Sequence, residues 1–259
     1  MGMELVDQMR RRMARFADVD AVEIAPTRGV FSLSFDDFPE SAWTEAGPIL
    51  AEHGVKATYY VCGGLACGRN MDRDQYRVEH LQALHAAGHE VGCHTWGHTS
   101  VLRMDDEALR LSLEANAAWV GERLNGYRMT TFAYPFGDCT VGAKRRVRAR
   151  FDLGRGVRDG VEVGRVDRGL VRSIGLESRR LPHYDLEALM AEAAERRGWL
   201  TAYGHDVSDR PTDYGCTPKD LDRVLTLATA AGLDIRPIGE AWSSLLPLRE
   251  KVAERSEVG

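Results

Sequence analysis

Short apolar runs alternate with longer amphipathic ones along nearly the whole chain. No other feature constrains the fold as much. Residues 30–35, 57–61, 90–94, 131–134, 153–157, 170–176, 200–203 and 234–238 read as strands. Between them, residues 41–53, 73–87, 105–124, 141–151, 185–197 and 218–231 read as helices. Ser41 is placed to cap the first of these, Gly54 and Gly88 follow the ends of the first two, and Thr217 before Pro218 is a good start for the last. Strands alternating with helices imply a parallel sheet, and seven or eight such units without a linker imply a (β/α) barrel. An open doubly wound sheet is the other architecture with this order of elements. The Gly/Arg/Asp-rich stretch from Gly154 to Gly169 reads as the loosest segment, a long excursion.

The 259 residues suit one barrel-sized domain as well as two small ones, and a composition 44% hydrophobic and 28% charged is that of a globular protein. A net charge of -5 leaves no basic footprint for nucleic acid. No apolar run reaches the roughly 20 residues of a membrane span. Residues 3–16 form an N-terminal helix with Leu5, Val6, Met9, Met13 and Phe16 on one face and Arg10, Arg11 and Arg12 adding charge. The expected arrangement buries that apolar face on the domain; a helix lying on a membrane surface is the alternative. The segment lacks the apolar core of a signal peptide, so a cytoplasmic location is expected. The five cysteines, Cys62, Cys67, Cys93, Cys139 and Cys216, are odd in number and irregularly spaced, as expected of reduced thiols. Cys93 alternates with His94 and is expected to face the core.

The chemistry collects at strand ends. Asp36-Asp37, His94 and His98, the turn Tyr134-Pro135-Phe136-Gly137 and His205-Asp206 each follow an expected strand. In parallel barrels catalytic groups gather at the C-terminal ends of the strands. Two imidazoles and one carboxylate leave an open position on zinc, and a second carboxylate is then free to act as a base. Alone, Asp36-Asp37 reads equally as a solvated turn before Pro39, and an isolated HxxxH occurs often by chance. Two adjacent carboxylates repel each other, and a divalent cation offsets that repulsion. The Phe136 N–H is placed to face a developing oxyanion, and His205 is a candidate general acid. Trp96 and Tyr134 are candidates either for sugar stacking or for the core.

The order Asp-Asp, HxxxH, YPFG and His-Asp resembles the polysaccharide deacetylases (carbohydrate esterase family 4, the NodB-homology domain). The strings SFDDFP, HTWGHT, FAYPFG and YGHD carry the resemblance, which runs from about Val30 to Ile238. It implies a distorted (β/α) barrel, often seven-stranded, as a single domain spanning 29–246, with an N-terminal helical extension over 1–28 and a tail over 247–259. It implies Asp36 as base, Asp37, His94 and His98 as metal ligands, Phe136 with Pro135 and Tyr134 at the oxyanion and substrate, and His205 as acid. Asp206 is expected to orient His205. The sequence departs from the family pattern at Ala133, where many members carry an Arg that orients the catalytic Asp; Arg172 is the candidate replacement. Phe38 stands where glycine is usual, and the Asp-Trp motif has no match near residues 165–173.

The resulting expectation is a hydrolase holding one divalent metal ion, zinc ahead of cobalt or nickel, that deacetylates N-acetylated glycans or an exopolysaccharide precursor. Another C–N amidohydrolase or a deformylase on the same scaffold is the alternative. A carbohydrate-binding relative without catalysis has no need of Asp36, His94, His98 and His205 together.

Overall fold

The computed structural model describes residues 2–246; the expected tail over 247–259 lies outside the described residues. Eight strands form one parallel sheet: β1 (Val30–Phe35), β2 (Thr58–Val61), β3 (Glu90–Cys93), β4 (Thr131–Ala133), β5 (Leu153–Arg155), β6 (Ile174–Gly175), β7 (Trp199–Gly204) and β8 (Asp234–Ile235). Their order is β6-β7-β1-β2-β3-β4-β5. Along one edge of β1, β7 pairs with all six residues; along the other, β8 pairs with Val30 and Phe31 and β2 with Ser34 and Phe35. A parallel bridge from Arg155 to Val171 joins β5 to the segment that enters β6. The sheet thus curls into the barrel expected from the alternation of elements, in the distorted form that the resemblance implies.

Period-two alternation sets what each strand shows to each side. In β1, Phe31, Leu33 and Phe35 belong to the core layer beneath the helices. Val30 belongs to a second cluster inside the barrel, and Ser32 accepts a hydrogen bond from the Trp199 indole at 2.9 Å. Asp36 continues the inward register one residue past the strand.

The surrounding helices are α1 (Gly2–Phe16), α2 (Ser41–Thr44), α3 (Ala46–Glu52), α4 (Val78–Ala86), α5 (Asp106–Arg123), α6 (Val141–Arg148), α7 (Leu186–Glu195), α8 (Pro218–Ala230) and α9 (Ile238–Leu245). The expected helix over 41–53 divides at Glu45. Ser41 does not cap it, because its Oγ accepts instead from the Val207 N–H at 3.2 Å. The helix expected from Arg73 begins only at Val78, since Arg69–Asn70 and Arg73–Asp74 pair across a turn with Met71 and Asp72 at φ 48° and 58°. Thr217 caps α8 in a reciprocal arrangement with Asp220.

The stretch from Gly154 to Gly169 is not the loose excursion expected. Its start is β5, and Arg165–Asp167 pairs antiparallel with Ala21–Glu23. Helix α9, absent from the expected elements, packs Ala241, Trp242 and Leu245 with Val30, Leu153 and Trp199 and closes the N-terminal mouth of the barrel. Glu90 anchors it: its carboxylate accepts from the Gly239 N–H (2.8 Å), Thr58 (2.7 Å) and Thr131 (2.7 Å).

Helix α1 packs on the domain, but through its other face. Asp7 and Ala14 are buried, Arg11 reaches Asp138 at 2.6 Å, and the buried Lys144 ammonium donates to the carbonyls of Ala14 and Ala17. The apolar face expected to be buried lies in solvent.

Candidate active site

At the C-terminal end of β1 the backbone reverses through two left-handed residues, Asp37 at φ 62° and Phe38 at φ 64°. A positive φ is free only to glycine, which is why glycine suits position 38. Phe38 meets that cost with packing: its ring is fully buried, stacked on Tyr76 with centroids 4.5 Å apart and edge-on to Tyr59 at 5.0 Å. The reversal sends Asp36 and Asp37 into different company.

Asp37 faces the two histidines. His98 Nε2 lies 3.2 Å and His94 Nε2 3.5 Å from its Oδ1. Asn70 donates to the other oxygen, Oδ2, at 3.0 Å. The Nδ1 of His94 lies 2.8 Å from the Ala133 carbonyl, which can only accept, so Nδ1 carries the hydrogen and Nε2 is left with a lone pair. Burial, the largest influence, drives His94 down to about 4, so the ring is neutral at pH 7. A neutral ring in that tautomer has no proton for Asp37, and Asp37 Oδ1 is buried without a hydrogen-bond partner. One ligand atom from each of Asp37, His94 and His98 lies within 4.8 Å of the others. An orphaned carboxylate oxygen facing an imidazole lone pair is unfavourable alone and fits a cation between them. An outer carbonyl such as that of Ala133 is the kind of partner that fixes the tautomer of a histidine suited to a metal.

Asp36 faces the barrel interior. It is 4% exposed and takes a hydrogen-bonded ion pair from Arg155, which is fully buried. The guanidinium lies between the rings of Tyr60 and Tyr203, 5.3 and 4.9 Å from their centroids. Burial alone pushes the Asp36 carboxyl up. Arg155, followed by His94 and His205, more than reverses this and holds it below the ordinary value. Arg172 does not take this place: its guanidinium lies 3.7 Å from Glu162, to which its backbone N–H also donates. Arg155 was missing from the expected site. It is the cross-strand partner of Ala133, so the arginine sits one strand over at the same level of the ladder. Its sequence signal was a charge two residues after Leu153, sharing the inward face of an otherwise apolar strand.

The turn Pro135–Gly137 forms the opposite wall. Phe136 adopts φ 61° and ψ 7°, and its exposed ring rests on His98 at 4.4 Å between centroids. Pro135 is buried and fixes the entry to the turn. Tyr134 is no sugar platform: its ring is buried and edge-on to Phe132, and its hydroxyl donates to the Gly169 carbonyl at 2.9 Å. Trp96 packs over Gly63 and Gly64, outside the cleft lining.

His205 lines the cleft. Its Nδ1 is 3.2 Å from the Tyr214 carbonyl, which assigns the hydrogen to Nδ1 and turns Nε2 to the cleft. Asp206 does not orient it. That carboxylate is turned away, accepting from Thr212 Oγ1 (2.5 Å), the Thr212 N–H (3.0 Å) and Arg73 (3.1 Å), and so fastens the Arg69–Asp74 ribbon to the loop after β7. The cleft, about 300 Å³, brings together Asp36, Asp37, His94, His98, Phe136 and His205, with Glu177, Arg180 and Tyr203 as further lining residues.

Residues 24–151 match the family model described as polysaccharide deacetylase. Over these residues the chain belongs to the polysaccharide deacetylase family. Among curated relatives, chitin deacetylase 1 of Cryptococcus neoformans is 30% identical over 121 residues, 47% of this chain and 24% of that protein. The chitooligosaccharide deacetylase of Sinorhizobium fredii is 41% identical over 90 residues, 33% of this chain and 37% of that protein. The chain spans about a quarter of the length of the first curated relatives it matches. Among solved structures, a family 4 acetyl xylan esterase from Clostridium thermocellum, in complex with a cobalt ion, superposes with TM-score 0.55 at 20% identity over 84% of this chain and 93% of that one. That likeness establishes the fold. All five cysteines are unpaired thiols, and Cys93 is buried against Asn116. Among the described residues, no helix is long and apolar enough to cross a membrane.

Proposed function

We propose that this chain is a metal-dependent N-deacetylase acting on N-acetylglucosamine-type units of a polysaccharide, an oligosaccharide or its biosynthetic precursor, releasing acetate. Asp37, His94 and His98 are the residues that would hold one divalent ion, zinc by preference for two imidazoles and a carboxylate. Bound there, such an ion supplies Lewis-acid polarisation and acidifies a water to a pKa of roughly 7.

The chain's own groups do the rest. Asp36, held ionised by Arg155, accepts the proton of the attacking water. The Phe136 N–H faces the oxygen on which negative charge develops. His205, with Nδ1 engaged by the Tyr214 carbonyl, has Nε2 to protonate the departing nitrogen, so water and amide leave as acetate and amine. The observation that carries the reading is the pair of neighbouring carboxylates in opposite circumstances: Asp36 is ion-paired to an arginine through Oδ1, and Asp37 has one buried oxygen with no hydrogen-bond donor and two imidazoles before it.

Metal content measured together with acetate release from a panel of N-acetylated glycans tests the proposal. Release from N-acetylglucosamine oligomers, lost on chelation and restored by zinc, is the expected result. Hydrolysis of small formamides or cyclic amides with no release from the oligomers would instead assign another amidohydrolase activity.

A further inference from the structure

Helix α1 presents a surface that the deacetylase cleft does not use. Leu5, Val6, Met9, Met13 and Phe16 are 59, 46, 57, 61 and 74% exposed. At about 100° per residue the five fall in a single stripe roughly 100° wide. Burying the polar face and leaving the apolar one in water reverses the usual docking of an amphipathic helix. Exposed arginines border the stripe, Arg12 on one edge and Arg10 on the other, with Arg15 beyond Arg12.

We propose that α1 docks the protein on an anionic lipid surface, lying in the plane of the interface. Apolar side chains between basic edges are the pattern of an interfacial helix, in which the stripe enters the headgroup region and the arginines meet lipid phosphates. Charge complementarity favours this occupant over a second copy of the chain. Pairing two such stripes would bring the basic edges of one helix against those of the other, whereas an anionic surface neutralises them.

The docked position bears on the cleft. Gly137 and Val157 line both the cleft and the groove beneath α1, where Arg11 and Arg15 lie. Docking therefore holds one wall of the cleft close to the headgroups, where glycan carried on a lipid or lying against the membrane is within reach. This consequence rests on the deacetylase reading; the docking itself does not.

Co-sedimentation of the full chain with phosphatidylcholine vesicles, with and without phosphatidylglycerol, tests the proposal. The chain is expected to pellet only with the anionic vesicles and to be released by high salt. Met9→Glu with Met13→Glu should abolish pelleting, and Arg10→Gln with Arg12→Gln should weaken it about fivefold per arginine. Acetate release from a soluble oligosaccharide should be the same in all variants, which separates a failure of docking from a failure of the deacetylase reading. The proposal is overturned if the wild type stays in the supernatant, pellets equally without anionic lipid, or pellets undiminished after the glutamate substitutions. A dimer in light scattering that these substitutions dissolve, without vesicle binding, would make a second copy the occupant and also overturn it.

Discussion

Each mouth of the barrel holds a carboxylate, Glu90 half-buried and Asp37 fully buried, and the two are treated in opposite ways. At the N-terminal mouth Glu90 receives donors from Gly239, Thr58 and Thr131, and α9 covers the barrel end beside it. At the C-terminal mouth Asp37 receives one donor, from Asn70, and its other oxygen has none. Left-handed residues are concentrated at the open mouth. Asp37, Phe38, Thr95, His98 and Phe136 all take positive φ, and all stand on the loops that follow β1, β3 and β4. At the closed mouth the Glu90 carboxylate is matched, although Asn125 and Arg197 take positive φ there and the Trp242 indole nitrogen has no hydrogen-bond partner. Where the barrel is open, strain and an unmatched oxygen persist together, as at sites built for a ligand.

The largest effect expected is loss of the metal. His94→Ala or Asp37→Ala should drop metal content from one ion per chain to background, with acetate release following. Glu90→Gln should keep both, as elemental analysis of the purified variants will reveal. Equal metal in all of them would erase the distinction between the two mouths.

Asp36→Asn comes next. Asn preserves the shape beside Arg155 but cannot accept a proton, so kcat should fall about 10²–10⁴-fold with the metal retained. A variant keeping more than about a tenth of wild-type kcat would move the base elsewhere.

His205→Ala should cost on the order of 10²-fold in kcat on an amide, the low end for acid–base groups, because His205 is partly exposed and water can stand in. An activated ester, whose leaving group needs no proton, should lose less. Equal loss on both substrates would remove His205 from the leaving-group side.

The smallest effects belong to the closed mouth. Glu90→Ala should destabilise by about 1–3 kcal/mol, since it orphans the donors at the start of α9, while activity per folded molecule is unchanged. Burial, against the hydrogen bonds from Gly239, Thr131 and Thr58, raises the Glu90 carboxyl above its usual 4.5. The folded state therefore binds that proton more tightly than the unfolded state. Ionised Glu90 costs stability above the raised value, and the cost is relieved as pH falls through it toward 4.5. Thermal melts of wild type and Glu90→Gln should accordingly converge in that window from a gap at neutral pH.

What was legible in the sequence follows the range of the interactions involved. The strands emerged as apolar runs, and His94 with His98 and Asp36 with Asp37 as contiguous strings, because each is a local pattern. Arg155 was not read as functional, because its partner is Asp36, 119 residues away, and only the closure of the sheet joins them. Asp206 was assigned to His205 from adjacency alone, yet successive residues project in different directions, and its partners proved to be Thr212 and Arg73. Helix α9 carried its signal in Ile238, Ala241, Trp242 and Leu245, spaced as one helical face, but a short helix after Pro237 was absorbed into the preceding strand. For α1 the period announced an apolar face without saying what covers it.

The pairing of Arg155 with Ala133 across β4 and β5 also bears on how such proteins are compared. Alignment is one-dimensional: it scores Ala133 as a lost arginine and Arg155 as an unrelated residue. In the sheet the two positions are neighbours on one rung, and a side chain rooted at either can reach the carboxylate at the end of β1. A contiguous motif is thus a projection of a spatial requirement onto a line. A sequence can fail the motif while the fold satisfies the requirement from the next strand.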